Sequence, residues 1–316
     1  MSPQTLNPLP PKNWCCLACG ATDGHFYART KDEEYLTCQD EFDFFRCGLC
    51  KSLSIYPVPS DRLSLIYPQN YYSFSKSRSV VSGVKNWLDS RFYKKILCTV
   101  QGQELAALDV GGGSGAELNK LRSVDPRIKR TEVVDLDSKA ADHAKAAGHQ
   151  YHCLRIEDFE TASKFDVILM LNLIEHVEDP CAVLTKACSL LSPGGVILLK
   201  TPNYESLDGA IFKARNWGGF HSPRHWVIFN RRGFEVLAQK AGATVQQFQY
   251  TQGAPFWATS ILFILARHRW IRITKERPAV NHPAFQALSA FFAFFDLIRC
   301  RFSKPSQMFF ILSKDH

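Results

Sequence analysis

The feature that most constrains the fold is an alternation of apolar runs with helical patterns between residues 104 and 251. Runs such as ELAALDV (104–110) and FDVILMLN (165–172) indicate buried strands, whereas GAELNKLRSV (115–124) and RRGFEVLAQKAG (231–242) have helical spacing. Strands that alternate with helices of about 10–15 residues imply right-handed βαβ units. The sequence therefore predicts an α/β fold, in which a parallel sheet is covered by helices on both faces.

The remaining segments of this region continue the same alternation. Further strands are expected at TEVVDLD (131–137), YHCLRI (151–156), GVILLKTPN (195–203) and TVQQFQYT (244–251). Further helices are expected at SKAADHAKAAG (138–148) and at PCAVLTKACSLLSPGG (180–195), where Pro-Gly-Gly should end the helix.

A glycine-rich loop joins the first strand to its helix. The segment DVGGGSGAEL (109–118) places four glycines within five residues, which costs backbone entropy unless something needs the room they leave. In parallel α/β sheets, ligands bind at the carboxyl ends of the strands, where helix N-termini offer free N–H groups. Asp135 and Asp137 end the next strand, where an acid can accept hydrogen bonds from a ribose. These features indicate a cofactor that contains a nucleoside.

Two cofactors are compatible with this loop. Gly111, Gly113 and Ala116 match the dinucleotide pattern G-x-G-x-x-A, although one such match is weak evidence. The alternative is S-adenosylmethionine (SAM), with the loop packed against the amino-acid end of the cofactor. The later segments of the chain decide between the two.

Five segments, in order and spacing, resemble the class I SAM-dependent methyltransferases, in the subgroup whose fourth strand runs into Glu-His-Val. They are LDVGGGSG (108–115), VVDLDSKAADHAKAAG (133–148), FDVILMLNLIEHVEDP (165–180), LLSPGGVILLKTPN (190–203) and RRGFEVLAQKAG (231–242). The resemblance covers about 150 residues. It implies a Rossmann-like methyltransferase sheet, and Gly112 departs from it slightly, since many members have cysteine or another small residue there.

The resemblance also implies roles for individual residues. Asp135 would hold the ribose hydroxyls, Glu157 and Asp158 would lie near the adenine amine, and Asn172 would face the mouth of the active site. Around the methionine moiety it places Asp109, Gly111, Gly113 and Gly115. One acid of the pair at 135 and 137 could instead cap the helix that begins at Ser138, and we assign that role to Asp137.

Methyl transfer from a sulfonium requires in-line positioning, and it requires a base only when the acceptor must lose a proton. Three histidines are candidates for a catalytic role: His176, His221 and His225. In ubiquinone-type O-methyltransferases a segment similar to that around His176 carries a Glu-x-x-Glu-His-x-x-acid metal site. Because Asn172 replaces the first acid here, we interpret His176 as a structural group or a minor contributor to the site rather than a metal ligand.

The segment GGFHSPRHWVIFN (218–230) follows the fifth strand, where the acceptor pocket usually forms in the resembling subgroup. One interpretation is that Arg224 and His225 hold this loop on the sheet. The other is that His221 or His225 is the general base, with His221 favoured, and that Arg224 and Trp217 contact an anionic acceptor.

Two C-x-x-C turns precede this region, CLAC (16–19) and CGLC (47–50). Two such turns close a tetrahedral zinc site, so Cys16, Cys19, Cys47 and Cys50 are predicted to bind a structural zinc ion. A redox dithiol is the alternative, and it is disfavoured because the pairs lie outside a thioredoxin-like βαβ unit. Together with the aromatic stretch YPQNYYSF (67–74), this arrangement is similar to bacterial enzymes that act on sugars, lipid-linked glycans or other small metabolites.

The net charge of +8 is concentrated at the C-terminal end. Residues 254–316 carry nine Lys/Arg against three acids, so a nucleic-acid-binding surface on the main domain is not expected. The runs APFWATSILFIL (254–265) and ALSAFFAFFDLI (287–298) are too short to span a bilayer. They are predicted either to lie at an anionic membrane surface or to pack as a lid or dimer contact.

These observations predict four segments: a zinc-ribbon-like module (1–59), a linker and helical segment (60–103), a SAM-binding domain (104–251) and a helical, basic extension (252–316). The N-terminal segment lacks the pattern of a signal peptide, and eleven cysteines then favour a reducing, cytoplasmic compartment. We expect O-methylation of a small-molecule, glycan or lipid-linked acceptor. A non-catalytic zinc-ribbon scaffold and an NAD-dependent oxidoreductase are the alternatives.

Overall fold

A computed structural model describes residues 8–68, 71 and 80–314. Most of the aromatic stretch at 67–74 lies outside these residues. The strands are β1 (Gly24–Lys31), β2 (Glu41–Cys47), β3 (Leu53–Tyr56), β4 (Leu105–Val110), β5 (Ile128–Asp135), β6 (Gln150–Cys153), β7 (Phe165–Leu171), β8 (Leu191–Pro202), β9 (Val227–Ile228), β10 (Ala243–Thr251) and β11 (Gln307–Lys314). The α-helices are α1 (Leu63–Ile66), α2 (Val80–Leu97), α3 (Ala116–Val124), α4 (Ser138–Ala146), α5 (Pro180–Leu190), α6 (Leu207–Phe212), α7 (Arg231–Lys240), α8 (Ala254–Arg267) and α9 (Pro283–Arg299).

The main sheet has seven strands in the order β10-β11-β8-β7-β4-β5-β6. The five strands from β8 to β6 run parallel, and β11 is antiparallel to both of its neighbours. Along β4, Leu108 and Val110 belong to one apolar core and Leu105 and Ala107 to the other, so both faces of the sheet are covered. The predicted α/β, Rossmann-like fold is confirmed.

The element boundaries differ from the prediction at one junction. Helix α5 ends at Leu190, and β8 begins at Leu191, before the Pro-Gly-Gly segment rather than after it. The strand pairs Leu191 with Phe165, and its register shifts before Val196 pairs with Val167. The prolines and glycines therefore lie in an irregular start of the strand, where a bulge accommodates them.

The sequence predicts a helical C-terminal extension, and the structure differs from this prediction by one strand. Its apolar runs do form α8 and α9, but β11 follows them and inserts between β10 and β8. The first six residues of β11 are buried, with Phe310 and Leu312 in one core and Phe309 and Ile311 in the other. The main sheet thus continues beyond residue 251 into the extension. Among the described residues, no helix is long and apolar enough to cross a membrane.

The N-terminal module and the segment 218–230 share one small sheet, of order β1-β2-β3-β9. Strand β9 belongs to that segment, and it pairs with β3 through Leu53 and Ile228. Their shared core includes Phe44 of β2 and Phe220, whose rings stack with centroids 5.0 Å apart. The zinc-ribbon-like module is therefore packed directly against the segment predicted to form the acceptor pocket.

Candidate active site

The glycine loop between β4 and α3 adopts backbone conformations that favour glycine. Gly111, Gly113 and Gly115 all have positive φ angles, of 73°, 52° and 74°. A Cβ atom added at Gly115 would lie 2.4 Å from Cδ2 of His149, whereas one added at Gly113 would meet no atom of the described residues within 4 Å. Gly115 is therefore required by close packing, and Gly113 leaves open space at the carboxyl end of β4.

Asp109, at the end of β4, carries a carboxylate oxygen that the fold does not use. Its side chain is buried, and its Oδ2 has no hydrogen-bond partner among the described residues. Burial, followed by the charges of Glu117 and Asp135, raises the pKa of Asp109 well above its usual value. An unpaired buried acceptor is costly, so this oxygen fits a ligand that brings a hydrogen-bond donor, such as an ammonium group.

The two acids at the end of β5 have different surroundings. Asp135 accepts hydrogen bonds at Oδ2 from the N–H of Gly113 (2.8 Å) and at Oδ1 from the N–H of Asp137 (2.9 Å). Asp137 accepts from the N–H of Lys139 (3.0 Å) and caps α4, so the predicted capping role is confirmed. Asp135 fixes the glycine loop to β5, and each of its oxygens keeps a lone pair for a further donor.

The other predicted cofactor residues lie on the turns that follow β6 and β7. Glu157 and Asp158 are exposed, on a 3₁₀ turn that follows β6. Asn172 follows β7 with φ of 55°, and its Oδ1 accepts a hydrogen bond from Nε2 of Gln307 (3.1 Å). In the sheet, β7 lies directly beside β4, whereas β6 is separated from β4 by β5. The turn that carries Asn172 is therefore next to the loop after β4, and the turn that carries Glu157 and Asp158 lies one strand further away.

The four predicted zinc ligands form one cluster, with sulfur atoms all within 4.8 Å of one another. The Sγ atoms of Cys16 and Cys50, and those of Cys19 and Cys47, are 3.5 Å apart. Zinc–sulfur bonds of about 2.3 Å in a tetrahedron separate the sulfurs by about 3.8 Å, so the four thiols fit this metal. The adjacent Cys15 is exposed and is not part of the cluster.

The three predicted catalytic histidines lie together, with ring centroids 4.6–6.0 Å apart. His176 Nδ1 lies 3.0 Å from the carbonyl of Arg224, and His225 Nδ1 lies 2.9 Å from that of Gly219. Because a carbonyl only accepts, each Nδ1 carries the proton and each Nε2 has a free lone pair. Burial lowers the pKa of His176 to about 3 and that of His225 well below its usual value, so both rings are neutral.

A buried acid lies beside these two rings. Glu175 is inaccessible to solvent, and burial raises its pKa to about 8 although Thr201 donates a hydrogen bond to its Oε2 (3.0 Å). Glu175, His176 and His225 bring three potential ligand atoms within 4.8 Å. Three groups leave a metal site incomplete, and the two imidazoles are held by backbone carbonyls, so we keep the interpretation of His176 as structural.

His221 has surroundings that differ from those of the other two histidines. Its Nδ1 lies 2.5 Å from Oε2 of Glu34, and its Nε2 lies 2.9 Å from the hydroxyl of Tyr71. Since a carboxylate only accepts, Nδ1 donates to Glu34, which leaves Nε2 of the neutral ring to accept from Tyr71. This carboxylate–imidazole pair is the arrangement that orients a general base. Glu34, in the N-terminal module, was not identified from the sequence.

Arg224 and Trp217, predicted to contact an anionic acceptor, are buried and engaged within the protein. Arg224 donates to the main-chain carbonyls of Ile66 and Ser222, to the hydroxyl of Thr37, and twice to the carboxylate of Asp32. A guanidinium has five N–H donors, so none remains for a substrate. The indole N–H of Trp217 donates to a buried aspartate at 2.7 Å. For Arg224, the geometry favours the alternative interpretation, in which it holds the loop in place. Trp217 is engaged within the protein in the same way.

Comparison with known proteins agrees with this architecture. The model of the family described as "Methyltransferase domain" matches residues 84–247, just over half of the 316-residue chain, and the chain belongs to this family. The match begins within α2, upstream of the predicted domain start at residue 104.

Two curated relatives and one solved structure illustrate what the chain is similar to. The chain is 29% identical over 124 residues to the ubiquinone biosynthesis O-methyltransferase of Bradyrhizobium sp. (strain ORS 278), covering 37% of this chain and 43% of that protein. It is 33% identical over 105 residues to the enzyme of the same name from Parvibaculum lavamentivorans, covering 32% and 42%. The chain therefore spans less than half the length of these curated relatives. A solved structure of coclaurine N-methyltransferase, bound to N-methylheliamine and SAH, aligns with 72% of each chain, at 16% identity and a TM-score of 0.49.

Proposed function

We propose that this protein transfers a methyl group from SAM to an oxygen atom of a small-molecule or glycan-type acceptor. The observation that carries the proposal is the loop at the carboxyl end of β4, which combines open space at Gly113 with a buried Oδ2 of Asp109 that has no partner among the described residues. When bound, SAM supplies an electrophilic methyl group on a positively charged sulfur. Membership of the methyltransferase family supports the same cofactor over a nicotinamide dinucleotide.

The proposed cofactor contacts follow the order of the strands. Asp109 accepts from the ammonium group, with Gly111, Gly113 and Gly115 giving the backbone room to approach the methionine moiety. Asp135 accepts from the ribose hydroxyls while it holds Gly113 in place. Glu157 and Asp158 bind near the adenine amine, and Asn172 lines the mouth of the pocket.

The proposed acceptor region lies where the N-terminal module meets the segment 218–230. His221 is the favoured base, because Glu34 orients its ring and its Nε2 already accepts from a hydroxyl, that of Tyr71. An acceptor hydroxyl that replaced Tyr71 at this nitrogen would be deprotonated during transfer. His176 and His225 shape the pocket as neutral rings. Transfer to oxygen is supported by relatives that are named O-methyltransferases in ubiquinone biosynthesis.

The test of the activity is transfer of tritiated methyl from SAM into small molecules of a bacterial extract. We expect His221→Asn to lower the rate about 10²–10⁴-fold, the usual contribution of a general base, without weakening cofactor binding. His268→Asn, an exposed histidine of the extension, is the control and should keep full activity. Equal rates for wild type and His221→Asn would overturn the role of His221, and no transfer by the wild type would favour the scaffold alternative.

We also propose that Cys16, Cys19, Cys47 and Cys50 bind one structural zinc ion, with no open coordination position for substrate. The module would then need the metal to fold, because structural zinc sites contribute folding energy directly. Elemental analysis should give one zinc per chain for the wild type and for Cys15→Ser, and less than one for Cys16→Ser. Equal zinc content in the two variants would argue against this site.

The proposed location is the cytoplasm, with contact to a membrane surface through the extension at 252–316. The support is the concentration of positive charge in that extension together with its apolar helices. Such contact would bring the enzyme close to a lipid-linked acceptor.

A further inference from the structure

Helix α9 buries one face and exposes another that is equally apolar. On the buried face, Phe292 stacks on Trp257 of α8 with ring centroids 4.7 Å apart, and Phe295 meets the same indole at 5.8 Å. Asp296 and Arg299, the two charged residues of this helix, also point inward and pair at 2.7 Å. The packing of α9 on the protein is therefore complete without its opposite face.

The opposite face carries four large apolar side chains at helical spacing and no charge. They are Phe291 (62% exposed), Phe294 (64%), Leu297 (55%) and Ile298 (57%). Residues three, four and seven apart share one side of a helix, so these four form a continuous stripe, which we name the α9 stripe. An apolar helix is usually buried on all sides, and contiguous exposed apolar surface marks an interaction site.

Positive charge flanks the α9 stripe at both ends. Beyond the C-terminal end lie Phe302, which is 86% exposed, and the exposed Arg301. Toward the other end, the loop 268–278 packs into a buried cluster shared with the first two turns of α9. That loop exposes Trp270 between Arg269 and Arg272. Aromatic residues next to cations are typical of helices that lie at a bilayer surface.

We propose that the α9 stripe inserts into the interface of an anionic bilayer, with the flanking arginines on the lipid headgroups. The proposal deepens the membrane contact proposed above and does not depend on methyl transfer. Charge favours a bilayer over a second copy of this chain, because a symmetric dimer through the stripe would bring two extensions of net charge +6 together. Anionic lipid instead complements that charge.

The test is co-sedimentation of the full-length, zinc-loaded protein with vesicles of phosphatidylcholine and phosphatidylglycerol (3:1), and with vesicles of phosphatidylcholine alone. Phe294→Ser/Ile298→Ser should lower partitioning about 100-fold, since each exposed apolar side chain contributes about tenfold. The matched control, Leu9→Ser/Leu65→Ser, removes two exposed leucines elsewhere and should bind like the wild type. Arg301→Glu should lower binding about tenfold or more, and Lys129→Glu on β5 should not.

Binding to the anionic vesicles that salt weakens, and that the stripe variant loses, supports the proposal. Three results would overturn it: no pelleting of the wild type at low salt, equal binding by both double variants, or a dimer in sedimentation velocity that the stripe variant abolishes. Binding of S-adenosylhomocysteine, measured on the same samples, reports on folding and on the cofactor proposal separately. A stripe variant that binds this ligand but not vesicles distinguishes the two proposals.

Discussion

Replacing Asp32 by alanine tests whether Arg224 is a structural clamp between the N-terminal module and the acceptor segment. The two side chains are inaccessible to solvent, and Nη2 of Arg224 lies 2.8 Å from Oδ2 of Asp32. Removing one partner of a buried ion pair costs about 3–5 kcal/mol, because the other charge stays buried. Asp32 also accepts from the N–H groups of Tyr35 and Thr37, at about 1 kcal/mol each.

The expected loss in free energy of unfolding is therefore about 5–7 kcal/mol. At about 2–4 °C per kcal/mol, the value for domains of about 150–250 residues, the Tm should fall by about 10–28 °C in differential scanning calorimetry. The matched control is Asp43→Ala, which breaks the Arg29–Asp43 pair on the surface of the same module. Exposed pairs contribute about 0–1 kcal/mol, so the control should change the Tm little.

The difference in stability between the wild type and Asp32→Ala should become smaller at low pH. Burial alone would raise the pKa of Asp32, but the charge and hydrogen bonds of Arg224 outweigh it and hold this pKa below its usual value. An acid whose pKa is lower in the folded state than in the unfolded state stabilises the folded protein. Its full contribution is present when the pH is above the unfolded-state pKa, and it is lost as the pH falls through the folded-state pKa. The gap between wild type and Asp32→Ala should therefore close below about pH 4. Equal Tm losses for Asp32→Ala and Asp43→Ala at pH 7 would refute the clamp.

Two further predictions concern the loop and the core. Gly115→Ala should destabilise the protein more than Gly194→Ala in urea unfolding, because both positions have positive φ but only the first places Cβ against His149. The Gly194 variant should lose about 1–2 kcal/mol from backbone strain alone, and equal losses would contradict the steric argument. Trp217→Phe should lower the free energy of unfolding by about 1–3 kcal/mol, because it removes a buried N–H hydrogen bond. Trp270 is exposed, so Trp270→Phe should not change the Tm. If both tryptophan variants unfold at the wild-type temperature, that hydrogen bond does not stabilise the loop.

The sequence predicts the main sheet well where local patterns and topology agree. Buried parallel strands appear as continuous apolar runs, and FDVILMLN and ELAALDV fall within one residue of β7 and β4. The glycine loop is also predictable, because few residues other than glycine tolerate the φ angles observed there. The cysteine spacing predicted the thiol cluster for a similar local reason, since each C-x-x-C turn fixes two of its four sulfurs.

What the sequence could not give depends on contacts between distant segments. A run such as QMFFIL has no periodicity that separates a buried strand from a buried helix, so β11 was missed. Glu34 and His221 are 187 residues apart, and Asp32 and Arg224 are 192 apart. Residue type alone does not reveal whether an arginine near a pocket faces a substrate or a buried carboxylate. The packing of the N-terminal module on the segment 218–230 decides that question.

The most direct measurement of the central claim is a calorimetric titration of the zinc-loaded protein with S-adenosylhomocysteine, beside NADH. We predict one site for S-adenosylhomocysteine and no binding of NADH. Asp135→Ala should weaken binding at least about tenfold, the equivalent of one lost charge-assisted hydrogen bond. Asp137→Ala, which removes only the cap of α4, should keep the wild-type affinity. A folded wild type that binds neither nucleotide, or equal weakening in both variants, would contradict the cofactor site.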